Sequence, residues 1–420
     1  MGREDGGAVA GERPGIYVHI PFCRRKCAYC GFLTCPPRGL VQPYLAALGR
    51  EIAGGGGRCR SDWGAPDTLY FGGGSPSLVA PEAVAALIEA VTRAMPPAPG
   101  AEVSLEANPE DVDPARAARW VEAGVNRVTL GVQSFRSATL EPLGRAASPG
   151  RIGGAVKALR GAGCANLGAD LIAGLPGENL ADWRHSLSAT LGLGIDHLSL
   201  YLLETEPQTP LGRGVAAATV VLPPDDVVGD FYLEACETLA AAGLAQYEIS
   251  NFSRPGFESR HNRKYWDFSP YLGFGCGAHS FDGSRRTHNA ASVRAYVEAV
   301  EAGGGTLEEE NAGTARDRER EWVFLGLRRV SGIRLSAFED RFGRPFPAAW
   351  RESFAASPPG LAEFTRDTLR LSRRGMLLSN ALFLGVFDSD AEATGPPQGR
   401  PGRSEDGAAR PAGRRRETGP

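Results

Sequence analysis

From residue 15 the chain alternates short apolar runs with longer stretches of helical period. The runs at 16–20, 68–71, 103–106, 127–131, 167–172 and 198–202 read as buried strands. Between them, 41–52, 81–94, 114–123, 152–162 and 180–191 carry helical spacing. Pro81 and Pro114 stand where a first-turn proline belongs, and Asp113 is placed to cap the helix behind it. β–α units in series predict an α/β fold with a parallel sheet. The count is six, so a partial (β/α)6 barrel fits better than the closed eight-fold form.

The pattern changes near Pro223. A helix is expected at 225–242 and another at 292–302, around a motif-rich stretch at 247–282. Residues 303–316 are rich in Gly and Glu and read as a linker. Residues 317–388 read as helices followed by strands at 369–371 and 382–386, a small winged-helix-like domain. Its acidic residues favour a packing role over DNA binding. The expected organisation is a barrel at 15–222, an α+β extension at 223–302, and the small domain at 303–388. Residues 1–14 and 389–420 are polar and poor in apolar side chains, and are expected to be disordered; the run Arg414 to Arg416 reads as solvated.

Composition narrows the classes. A net charge of −3 over 420 residues gives no bulk electrostatic hold on nucleic acid. No signal peptide and no bilayer-length apolar run is visible. Eight cysteines in a chain this long are not a disulfide scaffold, and a reduced, cytoplasmic setting fits them.

Three of those cysteines, Cys23, Cys27 and Cys30, form a C-x3-C-x2-C triplet directly after the first strand. Close thiolates suit a soft metal centre. A four-iron cluster held by three cysteines keeps one iron open to a small molecule. A zinc site with Cys35 as fourth ligand, or a disulfide pair, is the alternative.

The triplet, with Tyr29 before its last cysteine, resembles the radical S-adenosylmethionine (SAM) superfamily. The resemblance implies a [4Fe-4S] cluster whose open iron chelates the amino and carboxylate groups of SAM. It also implies a 5′-deoxyadenosyl radical released by electron transfer into the sulfonium, and the partial (β/α)6 barrel. Polar and glycine residues follow each expected strand: Gly72 to Ser77, Glu106 to Glu110, Gly131 to Phe135, and Asp170 before Leu175-Pro-Gly177. Carboxylates can accept from ribose hydroxyls or an ammonium, and an arginine can fork onto a carboxylate. The family's SAM contacts fall on Tyr17, Tyr29, Gly73, Gly74, Ser75, Glu106, Gln133, Arg145 and Asp170.

The strings His19-Ile-Pro-Phe-Cys23, Gly72-Gly-Gly-Ser-Pro76, Glu106-Ala-Asn-Pro109, Gly131-Val-Gln-Ser-Phe135 and Gly174-Leu-Pro176 resemble oxygen-independent coproporphyrinogen oxidases and their relatives, over roughly 15–388. Phe32 replaces the oxidase's further cysteine, and only a short polar tail precedes the first strand. Both departures resemble the radical SAM haem chaperones. So does His261-Asn-Arg-Lys-Tyr-Trp266, whose histidine is tied to haem in that subgroup. An imidazole can ligate haem iron, and Tyr265 and Trp266 offer flat faces to a porphyrin. The alternative is a packed aromatic corner around a bonded histidine. In Gly273 to Ser280, His279 is either structural or substrate-facing, and Cys276 reads as a buried small residue more than an iron ligand. Gly31 stands where the family often has Asp. The resemblance implies a carrier that binds haem and passes it to acceptor haemoproteins, with an electron donor for the cluster. The rival is an oxidase acting on two propionates of coproporphyrinogen III in porphyrin biosynthesis. A radical SAM enzyme acting on RNA is disfavoured, since no basic aromatic surface is visible.

Overall fold

The computed structural model describes residues 12–145, 148–303, 307–310 and 313–393. Six parallel strands form where the apolar runs lie: β1 (Gly15–Ile20), β2 (Thr68–Gly73), β3 (Glu102–Ala107), β4 (Arg127–Gln133), β5 (Asn166–Ala173) and β6 (His197–Leu202). The intervening helices run Val41–Gly54, Pro81–Ala94, Pro114–Glu122, Pro149–Gly161 and Leu180–Gly192. Local chemistry sets their starts. Asp113 accepts from the Arg116 amide at 2.9 Å, and Asn179 with Asp182 closes a capping box.

Alternation along each strand separates two environments. Ile16, Val18 and Ile20, Leu69 and Phe71, and Leu167, Ala169 and Leu171 are buried in the main apolar core. Trp120, Leu159 and Trp183 of the surrounding helices belong to the same core. The other set is polar or aromatic: Tyr17 and His19, Thr68 and Tyr70, Ser104 and Glu106, Gly168 and Asp170. These face the barrel interior.

The sheet is wider than six strands. β7 (Ala245–Gln246), β8 (Asn251–Ser253), β9 (Tyr271–Phe274), β10 (His279–Phe281), β11 (Arg286–Asn289) and β12 (Leu307–Glu309) complete the order β12-β11-β10-β9-β1-β2-β3-β4-β5-β6-β8-β7. β9 adds parallel to β1, while β10 to β12 and β8 with β7 run antiparallel at the two edges. The barrel stays open, as the six-fold count implies. The stretch 245–309 therefore adds strands to the same sheet, at both of its edges. The expected linker at 303–316 is in part strand: β12 pairs with β11, His288 opposite Glu308.

The small domain has helices at Ala315–Gly326, Leu335–Phe342 and Ala348–Ala356. A three-stranded antiparallel sheet accompanies them, with β15 (Thr368–Leu371) between β13 (Ile333–Arg334) and β14 (Ala362–Phe364). The strand expected at 382–386 is instead inside the helix Ser379–Ala393. Leu382, Phe383 and Val386 recur at three- and four-residue spacing and join the domain core with Trp350. A short apolar run does not distinguish the two periods. That core also takes in Phe268, Tyr271 and Phe281 from the sheet side. Main-chain bonds fasten the domain to the barrel: Ile249 N to Arg328 O at 2.9 Å and Val330 N to Tyr247 O at 3.1 Å.

The tails expected to be disordered lie outside the described residues except at 12–14 and 389–393. There the chain is ordered: the carbonyls of Glu12 and Pro14 accept from Gly64 and Asp67 amides at 3.0 and 3.4 Å, and the last helix continues to Ala393.

Candidate functional site

A cavity of about 1040 Å³ opens at the C-terminal ends of the strands. Cys23, Cys27 and Cys30 line it, on a loop pinched at its neck by Cys35 N to Pro21 O (2.8 Å) and Cys23 N to Cys35 O (3.1 Å). Ala28 is tied on both sides, its amide to Leu143 O and its carbonyl to Leu211 N, each at 2.9 Å. Burial pushes the Cys23 and Cys30 thiols up; a bond from Ser75 opposes this at Cys23, and the Phe32 backbone opposes it at Cys30. Arg24, Arg25 and Lys26 surround them on the cavity wall.

Cys35 does not line the cavity. It sits at the neck, near Cys276. Cys276 is fully buried with its thiol pushed up to about 12 by burial, and so is a packed small residue. Among the described residues no three His, Cys, Asp or Glu side chains gather closely enough for a single metal ion. Three soft donors on one wall, with cations around them, fit a larger polynuclear centre.

The other expected residues follow the rim in strand order. Gly73 has φ +113°, and a Cβ there would lie 2.4 Å from the His19 ring. Ser75 Oγ lies 3.5 Å from Cys23 Sγ and accepts from Asn108 Nδ2 at 2.7 Å. Arg145 donates to Asn108 Oδ1 at 2.6 Å and to the Tyr29 hydroxyl at 3.2 Å. Gln133 adopts φ +67° at a register shift in β4, a strained backbone that aims its side chain into the cavity. Glu106 accepts from the Tyr70 hydroxyl at 2.7 Å, and burial raises its pKa. Asp170 is pushed up to about 7, first by burial and then by the Glu106 carboxylate, with Ser199 and Arg145 opposing. The Glu106 and Asp170 carboxyls and the Arg145 guanidinium thus face one space. Such a set suits a ligand carrying a carboxylate, an ammonium and hydroxyls.

A Cβ at Gly31 would meet the Glu206 carboxylate, the end of a flexible side chain. Glu206 also lines the cavity, so a carboxylate reaches this wall from a different segment.

Two of the expected positions lie away from the cavity. Tyr17 lies below the cavity wall, with its hydroxyl 2.9 Å from His19 Nδ1 and its ring over Tyr70. His261 plugs the opposite, N-terminal end of the strands. It is 1 % exposed, its Nδ1 is 2.8 Å from Thr68 Oγ1 and its Nε2 is 3.0 Å from the Tyr265 hydroxyl. Burial lowers its pKa to about 3, and Lys264 adds to this. Both ring nitrogens thus meet a hydroxyl. The packed aromatic corner is what forms: His261 stacks on Tyr70 at 5.0 Å, and Tyr265 meets Tyr271 edge-on at 4.8 Å. Trp266 lies beside Arg328, and neither Tyr265 nor Trp266 lines the cavity.

Asn108, Tyr70 and Arg328 escaped the sequence reading. Asn108 was visible inside the string Glu106 to Pro109, and Tyr70 shares the inward face of β2 with Thr68. Arg328 lies 122 residues beyond Glu206 and carries no local signal.

The sequence profile of the Radical SAM superfamily matches residues 17–189, and that of the HemN C-terminal domain matches 314–378. The chain is 33 % identical over 382 residues to the heme chaperone HemW of Bacillus subtilis, covering 88 % of this chain and 98 % of that one. It is 39 % identical over 382 residues to the heme chaperone HemW of Mycobacterium tuberculosis (strain H37Rv), covering 89 % and 95 %. Among solved structures, the coproporphyrinogen III oxidase HemN of Escherichia coli shares the fold with a TM-score of 0.78, at 22 % identity and 91 % coverage of both chains.

Proposed function

Because the chain belongs to the heme chaperone HemW family of the radical SAM superfamily, we propose that it binds haem and hands it to acceptor haemoproteins. In this reading Cys23, Cys27 and Cys30 hold a [4Fe-4S] cluster. Gly73, Gly74, Ser75, Glu106, Gln133, Arg145 and Asp170, with Tyr29, bind SAM. When bound, the cluster supplies an electron-transfer centre with one iron open to SAM, and an external donor must reduce it. Among the described residues no helix is long and apolar enough to cross a membrane. An exposed thiol-held cluster needs a reducing compartment, so the setting proposed is the cytoplasm.

The observation that carries the reading is the single cavity joining the cysteine triplet to the carboxylate–guanidinium rim. It supports three cysteine ligands, because Cys35 is turned away at the loop neck. The test is anaerobic reconstitution of the full chain, followed by haem titration and by incubation with coproporphyrinogen III, reductant and SAM. Haem binding without formation of protoporphyrinogen is expected. Cys23→Ala, Cys27→Ala or Cys30→Ala should lose the iron, and Cys35→Ala should keep it. Turnover of coproporphyrinogen by the wild type would replace the carrier with the oxidase.

A further inference from the structure

The cavity has a second end. Beyond the SAM-type rim its wall becomes apolar and aromatic: Tyr201, Leu203, Tyr232, Ile249, Met376 and Leu377. Tyr201 is 44 % exposed, a large ring on β6 left open to this space. The volume of about 1040 Å³ lies at the top of the range for single-ligand pockets, roughly 300–1,000 Å³.

One cation stands in this apolar end. Arg328 comes from the small domain and is carried there by the main-chain bond of its carbonyl to Ile249. Its guanidinium packs 4.3 Å over the Phe324 ring and 6.0 Å from that of Trp266. Its one hydrogen-bonded side-chain partner is neutral, Asn380 Oδ1 at 2.7 Å, and its Nε is buried without a partner. Among the described residues no carboxylate forms an ion pair with it. Glu204 and Glu248 act on it at a distance. Glu204 is exposed to water. Glu248 is fully buried and accepts from the Ser250 amide and from Asn251. Burial lowers the pKa of Arg328, yet a guanidinium stays charged. A partly buried cation among rings, with an unused donor, is a costly arrangement until an anion completes it.

We propose that this end of the cavity takes a flat apolar ligand bearing a carboxylate, a tetrapyrrole with its propionate on Arg328 and its ring against Tyr201, Leu203 and Leu377. The assignment rests on the haem-carrier reading and adds the place and the anchor. It puts the cargo in the same cavity as the SAM rim, away from His261.

The test uses the reconstituted full chain with haem and with haem dimethyl ester, which lacks the carboxylates, both delivered in the same detergent. Arg328→Gln should weaken haem binding roughly tenfold to a hundredfold, the usual weight of a charged hydrogen bond, and leave the diester unchanged. Arg328→Lys should recover part of the loss. Iron content and SAM affinity should not move. Equal loss of haem and diester would reduce Arg328 to a packing residue and overturn the assignment, as would wild-type haem affinity in Arg328→Gln. A wild type that binds no haem would instead overturn the carrier reading itself, so the two failures are distinct.

Discussion

Asn108 joins Arg145 to Ser75. Its carbonyl oxygen accepts from the guanidinium at 2.6 Å, and its amide nitrogen donates to the Ser75 hydroxyl at 2.7 Å. Ser75 in turn lies 3.5 Å from Cys23 Sγ. One amide therefore sets the position of the rim's arginine against the first cysteine of the loop. Asn108→Ala should raise the dissociation constant of SAM by roughly fivefold to thirtyfold, from the loss of about 1–2 kcal/mol of hydrogen bonding. Iron content should stay at the wild-type level, because no cysteine ligand is changed. Isothermal calorimetry on anaerobically reconstituted protein reads both the affinity and, with an iron assay, the control. An unchanged affinity would remove Asn108 from the site.

Asp170 titrates near 7 because it is buried beside Glu106. A bound ammonium or ribose hydroxyl favours the carboxylate form. SAM binding near neutral pH should therefore release protons, and affinity should fall as the pH drops below about 7. Calorimetry in two buffers of different ionisation enthalpy measures the release. In Asp170→Asn the release should shrink and the pH dependence flatten. An undiminished proton release in that variant would assign the titration to another group.

His261 is buried and hydrogen-bonded at both ring nitrogens, so its removal should act without any haem present. His261→Ala deletes two hydrogen bonds and a stacked ring in a fully packed layer, and should cost roughly 2–4 kcal/mol of apo-protein stability. Denaturant unfolding of the apo chain reads this directly. The sign with pH follows from its lowered pKa of about 3. The unfolded histidine takes a proton below its ordinary pKa while the folded one does not. Its contribution is thus complete above about 6.5 and is lost as the pH falls toward 3. A variant as stable as the wild type would restore His261 as a free ligand.

Glu248 shows the opposite sign. Burial raises its carboxyl to about 7, with Ser250 and Asn251 opposing. The folded state holds this proton where the unfolded chain has released it, so the group costs stability as the pH rises from about 4.5 through 7. Glu248→Gln keeps the neutral shape. Relative to wild type it should gain stability between pH 5 and pH 8, by up to ~3 kcal/mol. A constant difference across that range would mean that Glu248 is ionised in the fold.

The strands, the helices between them and the cysteine loop were legible in the sequence because their signals are local. Period two and period 3.6 announce which face is buried, prolines and Asp113 mark helix starts, and a loop that follows a parallel strand must open at its C-terminal end. The rim could be read for the same reason, since Glu106, Gln133 and Asp170 each end or line a recognisable strand. Where a segment is short and apolar throughout, period is lost, and 382–386 lies in a helix whose Phe387 packs on Trp350.

Only the tertiary structure decided the rest. Whether His261 offers a ring nitrogen or spends it depends on Thr68, 193 positions away along the chain. Whether residues 307–309 are linker or strand depends on the open edge of β11. Arg328 has no motif at all. It enters the cavity because the small domain docks through 328–330 onto 247–249. Local spacing fixes the direction of a side chain, but its partner is set by long-range packing, in which burial and the pairing of polar groups must be satisfied together.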